Sequence, residues 1–138
     1  MKTTKKTAPR SDLYDAVVAD AKSRCASRVL EAARMKGLMA LLQPSMAAIG
    51  AAGLDVRPSD LFEFSMGGRR GIHLTVETDE KRRRLYEVLV SEGLCETERW
   101  GISGGGCIVT LERGELVVVM CFVGGESEAP AKGGEACA

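Results

Sequence analysis

Apolar residues recur at steps of three and four from Tyr14 through Val18, Ala21, Cys25, Val29 and Ala32, the spacing of one helical face. Asp20, Arg24, Arg28 and Glu31 fall largely on the other side. Asp12 and Asp15 put carboxylates at the positive end of the dipole and so mark a helix start. The stripe is made of small residues, which lets a neighbour approach closely. Gly37 either ends this helix or is tolerated within it. Pro44 suits the first turn of a further helix, which Gly53 closes. Gly37 to Leu54 carries no charge, but Gln43, Pro44, Ser45, Gly50 and Gly53 interrupt it. It reads as buried core or a protein interface and not as a bilayer span.

After Pro58 the period changes to two. Phe62, Phe64 and Met66 alternate with polar neighbours, and so do Ile72, Leu74 and Val76. Gly67 to Gly71 lies between them, which predicts a hairpin with Arg69 and Arg70 on its loop. Thr78 and Asp79 open a second main helix, whose apolar positions include Leu85, Val88 and Leu89, and Gly93 stops it. Three strands are expected next, over 96–102, 107–112 and 116–123, with a tight turn at Arg113 and Gly114. The last run is apolar on both faces and so reads as a central strand covered on each side. The predicted order is helices followed by ββαβββ. That defines an α+β fold with an antiparallel five-stranded sheet packed on helices. The expected domain covers 11–123, with a helical part over 11–54 and a sheet part over 58–123. A basic 1–10 and a Gly/Glu/Ala/Pro-rich 124–138 read as disordered ends. A rival parse takes Leu85 to Leu111 as the last helix and wing of a winged-helix domain.

Composition narrows the function classes. The length, 138 residues, suits one domain, and 19 Lys plus Arg balance 19 Asp plus Glu. Binding of nucleic acid through bulk charge normally needs a basic excess, which is absent here. Met1 to Arg10 has no apolar run behind its lysines, so no export signal is expected. The cysteines at 25, 95, 107, 121 and 137 form no CxxC pair, and His73 is the only histidine. No zinc site of the usual spacing is expected, no other metal and no cofactor. Reduced thiols in a cytoplasmic setting are the simplest account.

Candidate chemistry is sparse. Cys107 beside Gly104–Gly106 is a candidate nucleophile with His73 as its base, but nothing in the sequence marks a third group. The triple glycine leads into a strand and not into a helix, so it reads as a hairpin loop and not as a phosphate cradle. Glu63, Glu77, Glu96 and Glu98 read as solvent faces of strands. Lys81, Arg82, Arg83 and Arg84 stand at a helix start, where the dipole opposes cations. Asp79 and Glu80 precede Arg83 and Arg84 by four residues, and four consecutive residues fan around the axis. Strand lengths put Arg69, Arg70 and Arg113 at one end of the sheet, and Lys81 to Arg84 with the glycine loop at the other. Trp100, sharing a strand face with Glu96 and Glu98 under strict alternation, reads as an interface anchor or a cap on the core. Met35, Met39, Met46 and Met66 fill core or form an adaptable surface.

The expected function is that of a small non-enzymatic binding protein. It would dock on another macromolecule as a regulator or inhibitor, for example of a nucleic-acid-handling complex. The expected contacts are Arg69, Arg70, Lys81, Arg82, Arg83, Arg84, Trp100 and Arg113. A protein partner leads, no membrane is expected, and a homodimer would use the first helix or the Met-rich segment. The alternatives are direct nucleic-acid binding through the arginine clusters and a cysteine-dependent enzyme.

Overall fold

The computed structural model describes residues 12–124 and 129–131. The expected disordered ends lie wholly or largely outside them. The chain divides after Ala33 into two compact units.

The first unit is helical. Helix α1 spans Leu13–Leu42, beginning in this unit and ending in the next. Asp12 Oδ1 accepts the Asp15 N–H at 2.9 Å and so caps the free donors of the first turn. Asp20 and Arg24 pair one turn apart at 2.8 Å, and Arg28 pairs with Glu31. Few apolar side chains here are covered: Leu13, Tyr14, Val17, Val29 and Leu30 are all exposed.

The second unit carries the sheet. Gly37 is accommodated inside α1, with open space where a Cβ would stand. A single 3₁₀ turn at Gln43–Ser45, with Pro44 at its start, leads into α2 at Met46–Ala51, and Gly53 at φ 79° ends that segment. The uncharged stretch goes into the core: Leu42, Ile49 and Leu54 are buried together with Met35. Among the described residues no helix is long and apolar enough to cross a membrane. Strands β1 (Leu61–Met66) and β2 (Arg69–Leu74) form the hairpin. Helix α3 spans Asp79–Ser91, its first turn capped by the Thr78 hydroxyl accepting the Lys81 N–H. Strands β3 (Cys95–Gly101), β4 (Cys107–Arg113) and β5 (Leu116–Phe122) follow.

The order across the sheet is β1-β2-β5-β4-β3, and β2 runs parallel to β5. The sheet is therefore mixed and not purely antiparallel. The cause is the crossover. Helix α3 carries the chain back along the sheet, so β3 starts in the same direction as β2, and two reversals leave β5 in that direction as well. The most apolar strand takes the central place. A winged-helix arrangement is excluded, because Leu61–Leu74 is a hairpin where that fold needs helices.

Pairing decides what each face carries. Ile72, Leu74, Val109, Leu111, Val118, Met120 and Phe122 meet Leu85, Tyr86 and Leu89 of α3 in one core. The opposite face presents Phe62, Phe64, His73, Val117, Val119 and Trp100. No helix is assigned to that face by the core of the second unit. Even so, Val117 and Val119 are only 8% and 1% exposed, sheltered within the sheet by flanking side chains.

Candidate functional site

The uncovered sheet face holds a groove of about 180 Å³. Val117 and Val119 of β5 and Thr110 of β4 line it. Phe64 on β1 and Trp100 on β3 contribute from strands at the two edges of the sheet, and Arg69, Arg70 and Glu98 add polar groups. Gly71 has no side chain for a reason: a Cβ there would stand 2.9 Å from the Val117 carbonyl oxygen. Its absence lets β2 sit against Val117 and leaves the groove open between Phe64 and the central strand. Phe62 and Trp100 are each 41% exposed, a large aromatic area for one sheet face.

Two local features create this face, and both depart from expectation. The hairpin loop is only Gly67 and Gly68, at φ 59° and 80°, the two-residue turn that matches strand twist. Arg69, Arg70 and Gly71 therefore belong to β2 and not to a loop. The resulting register sets Phe62 opposite His73 and Glu63 opposite Ile72. The phenylalanines thus lie on the face away from Ile72 and Leu74, and the hairpin is apolar on both sides. The second feature is an irregularity between Glu96 and Glu98, which breaks strict alternation. Glu96 turns to the helix side and is 6% exposed, whereas Trp100 stays on the open face. Glu96 accepts hydrogen bonds from Tyr86 Oη at 2.5 Å and from Arg99 at 2.7 and 2.8 Å. It is a buried anchor between α3 and β3, not a solvent-facing strand residue, and it holds the Arg99 guanidinium charged. Glu63 is half-buried too, bonded to Arg34 at 2.8 Å and near Arg70 at 3.8 Å.

The basic residues are placed at the two ends as their strand positions imply, but they are engaged. Arg69 donates to Glu112, which also accepts from the Thr97 hydroxyl. Burial raises the Glu112 pKa, but the bonds from Thr97 and Arg69 outweigh it and hold the carboxyl below its ordinary value. Lys81 pairs with Glu77 at 3.2 Å, and Arg84 reaches the Ala52 carbonyl. Arg82 pairs with Asp79 at 2.5 Å and also donates to the Val76 carbonyl. Arg83 lies with Tyr86, Glu87 and Val90 beside Ala129–Ala131. The consecutive cations fan around α3, each toward a different neighbour. Arg113 is a brace: its guanidinium donates to Glu92 O at 2.5 Å, Leu41 O at 3.1 Å and Ser45 Oγ at 3.3 Å. Two of those carbonyls belong to helix ends, where a cation is favoured.

His73 and Cys107 lie on opposite faces of the sheet, since His73 pairs with Val119 and Cys107 with Phe122. They cannot act as a dyad. His73 packs edge-on against Phe64, ring centres 6.3 Å apart. Burial, and secondarily the Arg82 charge, lowers its pKa. At the glycine loop, Ile102 N–H donates to Gly106 O and Gly105 N–H to Ile102 O, so this is a closed turn and not an anion cradle. Met35 is buried, Met39 and Met46 pack on the core, and Met66 edges the groove. Cys25, Cys107 and Cys121 are free thiols. Among the described residues no group of three His, Cys, Asp or Glu stands close enough to hold a metal ion.

Fold and site together define a mixed α+β sheet protein with one helix-covered face and one aromatic-edged open face. No family model, curated protein or solved structure matches the chain.

Sequence reasoning missed the open-face residues Phe62, Phe64, Thr110, Val117 and Val119. The signal was present in Gly67-Gly68, whose two-residue turn sets the register.

Proposed function

We propose that the protein is a non-enzymatic docking module that holds an apolar segment of another protein on the open face of its sheet. The observation that carries this reading is the groove between Phe64 and Trp100 with Val117 and Val119 beneath it. An exposed aromatic beside a sheltered aliphatic floor is the composition of an interface hot spot. Arg70, 55% exposed and only loosely paired with Glu63, supplies a charge at its rim. A regulator or inhibitor of a larger complex is the role such a module would fill.

Charge favours protein over nucleic acid. Arg69, Lys81 and Arg82 face carboxylates of the same chain, and Arg84 and Arg113 are spent on backbone carbonyls. These five engaged cations are less available to displace the counterions that drive nucleic-acid binding.

The test is affinity capture from the source cells with the unaltered protein and with Trp100→Ala, followed by a binding titration with the captured partner. Trp100→Ala should weaken binding about tenfold or more, the size of a hot-spot loss, without lowering thermal stability. Affinity should change little with salt. A partner held equally well by Trp100→Ala, or steeply salt-dependent binding to single-stranded nucleic acid, would overturn the proposal.

A further inference from the structure

If the open face holds an apolar segment as proposed above, the charges lining its groove also select what that segment carries. Glu98 and Trp100 stand two residues apart on β3, and both line the groove. Register puts both on the open face: Glu98 pairs with Thr110, Thr110 with Val119, and Trp100 with Ile108. Two positions along a strand span ~7 Å, so one cation can meet the carboxylate and the indole together.

The cations near the groove are engaged elsewhere. Arg69 donates to Glu112, which also accepts from the Thr97 hydroxyl. Arg70 stands at the rim on β2, three strands from β3 and so roughly 14 Å away across the sheet. Its place opposite Ser65 belongs with Ile72 to the helix-side positions of β2, and its carboxylate neighbour there is Glu63 at 3.8 Å. Glu98, by contrast, is exposed and has no hydrogen-bond or ion-pair partner among the described residues. The charge left unanswered on the β3 side of the groove is therefore negative.

Shape agrees with charge. The groove encloses about 180 Å³, below the roughly 300 Å³ at which small-molecule sites begin. A side chain inserted from a docked chain suits it better. Val117 and Val119 form an aliphatic floor beside Thr110, next to Glu98. A lysine or arginine buries its methylene stem along such a surface while its head stays with polar groups.

On that docking reading, we infer that the bound segment inserts a lysine or arginine, with its stem on Val119 and its cationic head between the Glu98 carboxylate and the Trp100 indole.

Selection from a phage-displayed library of random peptides on the full chain tests this. Peptides retained by the unaltered protein should be enriched in lysine or arginine beside a large apolar residue. Glu98→Gln should remove that enrichment, and Glu98→Lys should replace it with aspartate or glutamate. Thermal denaturation should be unchanged in both, because Glu98 has no partner to lose. For one retained peptide made synthetically, replacing its basic residue by alanine should weaken binding to the unaltered protein about tenfold and to Glu98→Gln hardly at all. Suppose the retained peptides are lost with Trp100→Ala yet show no preference for basic residues, or a preference that survives Glu98→Gln. Either result would overturn this inference and leave the docking reading standing. A selection that retains no peptide, or peptides held equally by Trp100→Ala, would overturn both.

Discussion

His73 shows how one side chain reports its surroundings. It sits on the open face beside Phe64, and burial, followed by the Arg82 charge, favours the neutral ring. A histidine whose folded pKa is depressed binds a proton more readily when the chain unfolds. Its contribution to stability is therefore full above the ordinary value of 6.5 and is lost as pH falls below it toward the folded pKa. Denaturant midpoints measured across that range should fall on acidification, and His73→Gln should flatten this part of the profile. The ring's position was not legible as such. Alternation along β2 sets it away from Ile72 and Leu74, but the aromatic company it keeps follows from the turn.

Among elements, α3 and β5 are tied at one point. Asp79 accepts Val123 N–H at 3.2 Å and Gly124 N–H at 2.7 Å, in addition to its pair with Arg82. Burial pushes the Asp79 pKa up, but the bonds from Arg82, Gly124 and Val123 outweigh it and hold the carboxyl below its ordinary 3.8. That stability is present above 3.8 and disappears as pH falls through the folded pKa. Asp79→Asn should lower stability by ~1 kcal/mol at neutral pH and reduce the acid dependence, as read by urea titration at two pH values. Thr78 and Asp79 were readable as a helix start because hydroxyl and carboxylate at that place satisfy free N–H groups. That the same carboxylate also holds the end of β5 was not readable, because the two are far apart in sequence.

At the scale of the whole second unit, Arg113 joins four elements. It leaves the end of β4 to reach carbonyls at the ends of α1 and α3 and the Ser45 hydroxyl between α1 and α2. Arg113→Ala should cost ~2 kcal/mol of unfolding free energy. Arg113→Lys should recover less than half, because an ammonium lacks the planar fork. Chemical denaturation of the two variants checks both. A role in partner contact would instead lower affinity with stability intact. The sequence marked Arg113 as a cation at the strand end shared with Arg69 and Arg70, which is where the register puts it. It did not distinguish a brace from a free pole, since that depends on three carbonyl and hydroxyl groups brought in by other segments.

Local pattern by itself determined the elements: the long helix, α3, and five strands with the most apolar one at the centre. Helical and strand periods differ, and Gly53, Gly93 and Gly114 mark ends or turns at positive φ. Tertiary structure alone decided which residues share a face. Had the hairpin loop run from Gly67 to Gly71, Phe64 would have paired opposite Leu74 and entered the core. The two-residue turn pairs it with Gly71 instead. The bulge near Thr97 likewise sends Glu96 inward and leaves Trp100 outside. In a sheet a shift of one residue exchanges the two faces, so the proposed docking surface hangs on register, and register is fixed only once the strands have paired.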